Sequence, residues 1–339
     1  MSQIIRFGIL GCSNVAKNSF IPALLKSKKT NLEFIGSSSK QKQLTFSKKF
    51  HCKNFGNYED VLSNNNVDAV YISLPPALQE KWVILAARAK KHTICEKSAS
   101  ISYSSAKKMI DECKKNHVQI MESFSFLNHP QHTTVINYLK HNKIGIPFFL
   151  DAKFGFNLTN SAKNFRLQKK LGGGILNDVG CYIIKISSTI FQGLPTSVLC
   201  NLTYDKKHKV DVQGSIHMTF KNNKTTTGFF GYSNSFQSCY EIWGKNGLIN
   251  VEKAFNLRKN HSGKIHLSTD NYSKRSVISP SDQFQLMIES FCDYLSNPTK
   301  LHYENDLLKQ AFIMDCARKS ASTMKLIKVK NSKQFLDAE

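Results

Sequence analysis

The chain has 339 residues, of which 41% are hydrophobic and 21% charged, a size and composition that suit two ordinary globular domains with real cores. No apolar run approaches the ~20 residues of a membrane-spanning helix, and the nine scattered cysteines form no CxxC pair, so a bilayer span, a zinc site and a disulfide framework are all excluded as expectations. The net charge is +23, yet only six of the 47 basic residues are Arg and the lysines are spread along the chain, which disfavours a nucleic-acid partner and leaves a modest remainder to steer phosphate-bearing ligands.

The first segment, MSQIIRFGILGCSNVAKNSF, has a strand running into a glycine turn and lacks the layout of a signal peptide, so a cytoplasmic protein is expected. Residues 4–10, 31–37, 67–75, 92–97 and 118–126 read as apolar strands. SNVAKNSFIPALLKS, ALQEKWVILAARAKK and SSAKKMIDECKKN read as helices between them. Alternation of this kind predicts βαβ units and a parallel, doubly wound sheet. Beyond about residue 145 the texture changes. PFFLDAKFGFNLT, PTSVLCNLTYD, VQGSIHMTFKN, TTTGFFGYSNSF, SCYEIWGKNGLINVE and GKIHLSTDN read as strands separated by turns, the pattern of an antiparallel sheet. Helices over SDQFQLMIESFCDYLS and YENDLLKQAFIMDCARKSAST close the chain. The expected organisation is a domain over residues 1–124 and a second over 125–339.

The first strand leads into Gly8-Ile-Leu-Gly11-Cys-Ser13-Asn14-Val15-Ala16, a dinucleotide fingerprint in which Ser13 and Ala16 replace the second and third glycines. Gly11 permits the tight turn, Ser13 is small enough for backbone to approach a pyrophosphate, and the helix start at Asn14 and Val15 offers N–H groups to phosphate. The end of the second strand, Gly36-Ser37-Ser38-Ser39-Lys40-Gln41-Lys42, carries no carboxylate for ribose hydroxyls. Hydroxyls plus Lys40 suit the 2′-phosphate of NADP better than NAD, although a plain serine-rich turn has the same composition.

Glu96 and Lys97 stand at the C-terminal edge of a parallel strand, where ligands of open α/β sheets sit. A Lys there can stabilise an oxyanion or merely decorate a strand end. At this point the sequence resembles the Gfo/Idh/MocA oxidoreductase family. The ordered set GILGCSNVA, LPPALQEKWVILAARAKKHTICEK, IMESFSFLNHPQ, NFRLQKKLGGGILNDVGCY and IWGKNGLINVE carries the resemblance over nearly the whole chain.

The resemblance implies an N-terminal Rossmann domain and a C-terminal α/β domain with a large, mostly antiparallel sheet. It implies cofactor contacts at Leu74, Pro75, Gln79, Glu96 and Lys97. The family's Glu-Lys-Pro motif falls on Glu96-Lys97-Ser98, so Ser98 departs from it; Pro76 and Gln79 depart where relatives often carry Asn and His. Tyr182, one helical turn after Asp178, matches the branch containing glucose–fructose oxidoreductase, dihydrodiol dehydrogenases and nucleotide-sugar 3-ketoreductases. There Tyr is the proposed acid–base group beside the motif's Lys, and Asp178 holds Lys97 or substrate hydroxyls. Asn164 and Arg166 match substrate-binding positions, and His129, where the chain crosses between the domains, either lines the pocket or makes a structural hydrogen bond.

The expected function is therefore NADP-dependent hydride transfer to or from a secondary alcohol or ketone of a sugar, preferably nucleotide-linked. A dehydrogenase of a free sugar or diol, or a non-catalytic cofactor-binding regulator, is the alternative. No metal is expected, and the resemblance implies a homodimer or homotetramer.

Overall fold

The computed structural model describes residues 4–159, 164–297 and 303–329. They form two compact units. One holds the described residues up to Ser125 together with those of Gln283–Leu308; the other holds those of Phe126–Asp282 and those from Lys309 onward.

In the first unit six strands form one parallel sheet: β1 (Ile5–Leu10), β2 (Thr30–Gly36), β3 (Asn54–Gly56), β4 (Ala69–Ile72), β5 (His92–Glu96) and β6 (Ile120–Ser123). Their order, β3-β2-β1-β4-β5-β6, is that of a dinucleotide-binding sheet, with the reversal of strand order beside β1. The expected helix over residues 13–27 opens as a π-helical turn, Ala16–Phe20, and continues as α1 (Ile21–Lys26).

The serine-rich stretch does not remain a turn: it starts α2 (Lys40–Phe50), with Ser39 Oγ accepting from the Lys42 amide at 3.4 Å. Its apolar pattern is faint because only Phe46 is buried. A reciprocal cap starts α3 (Tyr58–Ser63): Asn57 Oδ1 accepts from the Asp60 amide at 2.9 Å and Asp60 Oδ2 from the Asn57 amide at 2.8 Å. The helices α4 (Pro76–Arg88) and α5 (Tyr103–Lys115) fall where their periodicity puts them.

The first unit runs unbroken to Ser125, and Gln283–Leu308 returns to it. The reason is apolar. Met287, Ile288, Phe291 and Cys292 of the helix Gln283–Ser296 bury themselves in the core that contains Phe20, Ile21 and Leu24.

The second unit begins with α6 (Pro130–Lys140) and is built on a nine-stranded sheet. Its strands are β7 (Pro147–Asn157), β8 (Ser197–Tyr204), β9 (Asp211–Thr219), β10 (Thr225–Gly231), β11 (Ser233–Gly244), β12 (Gly247–Glu252), β13 (Gly263–Thr269), β14 (Ser273–Ile278) and β15 (Ile327–Lys328). The pair β7–β10 is parallel and the others are antiparallel. Two stretches expected as single strands break, at Tyr232 and at Lys245–Asn246, and β14 was not anticipated because SKRSVI is almost wholly exposed. The helix α7 (Cys181–Phe191) lays Ile183 over Gly228 of the sheet. The helix Gln283–Ser296, now α8, is followed by α9 (Tyr303–Thr323).

All nine cysteines are free thiols, and all but Cys239 are buried. No helix among the described residues is long and apolar enough to cross a membrane, and no metal-ligating cluster occurs among them.

Beneath this sheet His132 is 3% exposed. Its Nε2 lies 2.9 Å from the Ala254 carbonyl and its Nδ1 3.0 Å from the Tyr240 hydroxyl, so Nε2–H donates and Nδ1 accepts. Burial lowers the imidazole pKa to about 3. Between that value and the unfolded one near 6.5, the unfolded chain binds the extra proton, so folding stability falls as pH drops through this window. Urea titrations should show the His132→Asn variant losing less stability than the parent from pH 6.5 to 4, by at most about 1.4 kcal/mol per pH unit. Equal slopes would mean that His132 is not the group responsible.

Candidate active site

In the first unit the dinucleotide loop is fixed by backbone. The Gly11 amide donates to Gly36 O at 3.0 Å, joining the ends of β1 and β2. Gly11 has φ +110°, and a Cβ there would stand 2.6 Å from Ser73 O. Only glycine fits this close approach. Ser13 Oγ accepts from the Ala16 amide at 3.0 Å and contacts Ser73 Oγ, so the side chain caps the helix. Asn14 and Val15 are exposed at the helix start, and Leu74 and Pro75 are half-buried at the end of β4.

At the end of β2, Ser37 is occupied structurally: it is 3% exposed, its hydroxyl accepts from the Ser39 amide at 3.2 Å, and its carbonyl accepts from Gln43 Nε2 at 2.6 Å. Ser38, Lys40, Gln41 and Lys42 are the exposed members of that stretch. The strand end thus presents hydroxyl and ammonium groups without a carboxylate, which fits NADP.

Glu96 closes β5. Its Oε1 accepts from Tyr71 OH at 2.5 Å, and Tyr71 stacks on Phe20 with ring centroids 3.5 Å apart. Burial raises the Glu96 pKa, opposed by the Tyr71 hydrogen bond and the Lys97 charge. Lys97 is half-buried. Gln79 is fully buried, and its Nε2 donates to two loop carbonyls, Leu74 O at 3.2 Å and Ser98 O at 3.3 Å.

In the second unit the glycine triplet is no loose hinge. Gly174 has φ +124°, and a Cβ there would stand 2.1 Å from Asp211 Oδ1. The Asp211 Oδ2 accepts from the Leu176 amide at 2.6 Å, so a buried carboxylate caps the segment that carries Asp178. Burial raises the Asp211 pKa against that hydrogen bond. Asn177 Nδ2 donates to Gly172 O at 2.9 Å, and Arg318 donates to Asn177 Oδ1 at 2.6 Å.

The segment Leu176–Gly180 is a π-helical turn that runs into α7, not the plain α-helix expected, and Asp178 sits inside it. Such turns recur at functional sites. Asp178 is 8% exposed. Its Oδ2 accepts from Arg166 Nε at 2.6 Å and from Tyr232 OH at 3.4 Å. Burial opposes the Arg166 charge, but the Asp178 carboxylate outweighs it and raises the guanidinium pKa. Burial first, then the Asp178 charge, pushes the Tyr232 phenol far above its usual range.

The half-buried Tyr182 ring lies among three phenylalanines, with centroids 5.4 Å from Phe126, 5.1 Å from Phe154 and 5.7 Å from Phe255. Contacts on several sides limit the ring's swing.

A model described as an oxidoreductase family with an NAD-binding Rossmann fold matches residues 5–124, and a GFO/IDH/MocA C-terminal domain model matches residues 132–250. The chain belongs to the Gfo/Idh/MocA oxidoreductase family. Among its relatives it is similar to a dTDP-3,4-didehydro-2,6-dideoxy-alpha-D-glucose 3-reductase from Actinomadura kijaniata, 28% identical over 94% of this chain and 96% of the relative. It is 26% identical to a D-xylose 1-dehydrogenase (NADP(+)) from Haloferax volcanii, over 84% of this chain and 87% of that one. Among solved structures it resembles a 3-ketoreductase from Actinomadura kijaniata in complex with NADP and TDP-benzene. That match has a TM-score of 0.89 and 27% identity, covering 94% of this chain and 98% of the other.

As a member of this family the protein is an oxidoreductase. The structure brings Arg166 and Asp178 together, with Asn164 Oδ1 holding the Arg166 amide at 3.2 Å. It leaves His129 apart from them: fully buried, it caps α6, accepting at Nδ1 from the Gln131 amide at 3.2 Å, while burial lowers its pKa. Sequence reasoning missed Asp211, Tyr232 and Arg318, which come from distant strands and the last helix and carry no local signal.

Removing the Arg166 charge takes from the buried Asp178 the ion pair that Arg166 supplies. We expect Arg166→Met to destabilise the protein by about 3 kcal/mol in urea unfolding, and the double variant Arg166→Met/Asp178→Asn to recover at least about half. A single variant as stable as the parent would remove the pair from its holding role.

Proposed function

We propose that the protein reduces a keto group on a nucleotide-linked deoxysugar with NADPH. The similarity to dTDP-sugar 3-reductases over nearly the full length of both chains carries the reading. The family's acid–base residues, Lys97 and Tyr182, are both retained. Structures of the similar ketoreductase include variants in which one lysine and one tyrosine are replaced.

NADPH, when bound, would supply the hydride that reduces the carbonyl carbon. The residues handle the proton and the charge. The carbonyl oxygen gains negative charge as its carbon is reduced and requires a proton in step. Tyr182 donates its phenolic proton to that oxygen. A free phenol has a pKa near 10, so the resulting phenolate is costly at neutral pH, and the Lys97 ammonium offsets that cost by favouring the anion. The three phenylalanine rings restrict the tyrosine, which lowers the entropy lost on reaching the productive rotamer. Asp178, paired with Arg166, accepts hydroxyl hydrogen bonds of the sugar, and the guanidinium, 32% exposed, binds oxygens of the same ligand.

Lys40 and Lys42 bind the 2′-phosphate of the cofactor, with Ser38 as a hydroxyl donor. A TDP-linked 3-keto sugar should be reduced with NADPH oxidation, and Tyr182→Phe should lower kcat by about 10²–10⁴-fold while the cofactor Kd changes little. Parent-like turnover of that variant would remove Tyr182 from the proton step. The double variant Lys40→Asp/Lys42→Asp should shift the NADPH:NADH preference in kcat/KM by at least about tenfold toward NADH, equivalent to roughly 1.4 kcal/mol. An unchanged ratio would place phosphate recognition elsewhere.

A further inference from the structure

The loop after β5 carries Lys97 and then a serine where the family motif has proline. A proline ring fixes φ, and a serine does not. Yet the loop is tightly enclosed: Ser98 is 4% and Ala99 1% exposed. The Ser98 carbonyl accepts from Gln79 Nε2 at 3.3 Å. The Ala99 amide donates to Glu122 Oε1 at 2.8 Å. These two groups are the C=O and N–H of one peptide unit. It is held at its negative pole by a donor from α4 and at its positive pole by a carboxylate from β6. The register supports this, because Glu122 stands opposite Cys95 in the β5–β6 ladder, which brings its side chain beside the loop leaving β5.

Gln79 does more than bond the loop that carries Lys97. Its Nε2 also donates to Leu74 O at 3.2 Å, tying the loop after β4 to the loop after β5. The amide orientation is fixed by these partners: reversed, its oxygen would face two carbonyl oxygens. Gln79 is fully buried, and no water competes for the two bonds.

We propose that Gln79 and Glu122 are positioning residues: by clamping the Ser98–Ala99 peptide at both poles they hold the Lys97 backbone in place, supplying by hydrogen bonds the stiffness that the motif's proline supplies by its ring. The proposal rests on the reading of Lys97 as part of the acid–base pair. It makes the two departures from the family pattern, Ser98 and Gln79, one linked feature. A flexible loop would let the ammonium wander, and misplacement by about 1 Å can cost about 10²-fold in rate.

The test uses the full chain with NADPH and a TDP-linked 3-keto sugar. Gln79→Met keeps the volume and removes the donor; Glu122→Met keeps the volume and removes the acceptor. Each should lower kcat by about 10–100-fold with KM changing by less than about threefold, because the interaction acts on the transition state. Hydrogen exchange at the Ala99 amide, read without substrate, should accelerate by at least about tenfold in either variant. Adding Ser98→Pro to Gln79→Met should restore most of the lost kcat, whereas a merely structural defect would not respond to a ring at position 98. If Gln79→Met fails to fold, Glu122→Met with its own Ser98→Pro partner decides the matter.

An Ala99 amide exchanging at the parent rate in the folded variants overturns the clamp. Faster exchange with parent-like kcat, while Lys97→Ala is inactive, overturns the positioning role and leaves the Lys97 reading standing. A fully active Lys97→Ala overturns that reading and the positioning role with it.

Discussion

A carboxylate taken out of water must keep a partner, and the second unit is organised around that requirement at Asp178. Burial of this side chain would drive it towards the neutral acid if it stood alone. Arg166 meets it at 2.6 Å from a loop preceding the glycine triplet, and Tyr232 reaches the same oxygen from the turn between β10 and β11. The backbone around the pair is shaped accordingly. The glycines allow the chain to turn into the π-helical segment while Asp211 takes up its unsatisfied amide at Leu176. One helical turn later the same segment delivers Tyr182 into a wall of phenylalanine rings.

The first unit solves a different problem with the same economy of polar contacts. Loops at the C-terminal ends of parallel strands have to be close enough to a ligand to touch it, yet stiff enough to touch it reproducibly. Here each loop is tied to a neighbour by one or two hydrogen bonds, from backbone or side chain. Gly11 is tied to Gly36 through backbone, Ser13 sits beside Ser73, and Gln79 joins the Leu74 and Ser98 carbonyls. The sheet order supplies the proximity; the hydrogen bonds supply the rigidity.

Much of this was legible along the chain. Alternating apolar runs and helical periodicity gave the doubly wound sheet, and short strands between turns gave the second sheet, because both patterns are local consequences of period and propensity. Gly11 and the carboxylate-free end of β2 could be read from residue type alone. The elements that escaped are those whose stability is not local. The strand β14 exposes nearly every side chain and exists because β13 pairs with it. The helix α2 buries one large apolar residue and depends on its serine cap. The helix α8 reads correctly as a helix, but nothing in its own pattern says which unit its apolar face will join.

By itself, then, the sequence determined the two sheet types and the dinucleotide turn, since each of these follows from residue identity and short-range spacing, whereas the roles expected of Lys97 and Tyr182 came from the family resemblance. Only the tertiary structure decided which groups hold them. Asp178 is met by Arg166, the segment before α7 is pinned because Asp211 arrives from β9, and the peptide after Ser98 is fixed because α4 and β6 flank it. Those partners are brought in from remote parts of the chain by the packing of strands and helices, and no spacing within a single stretch encodes them.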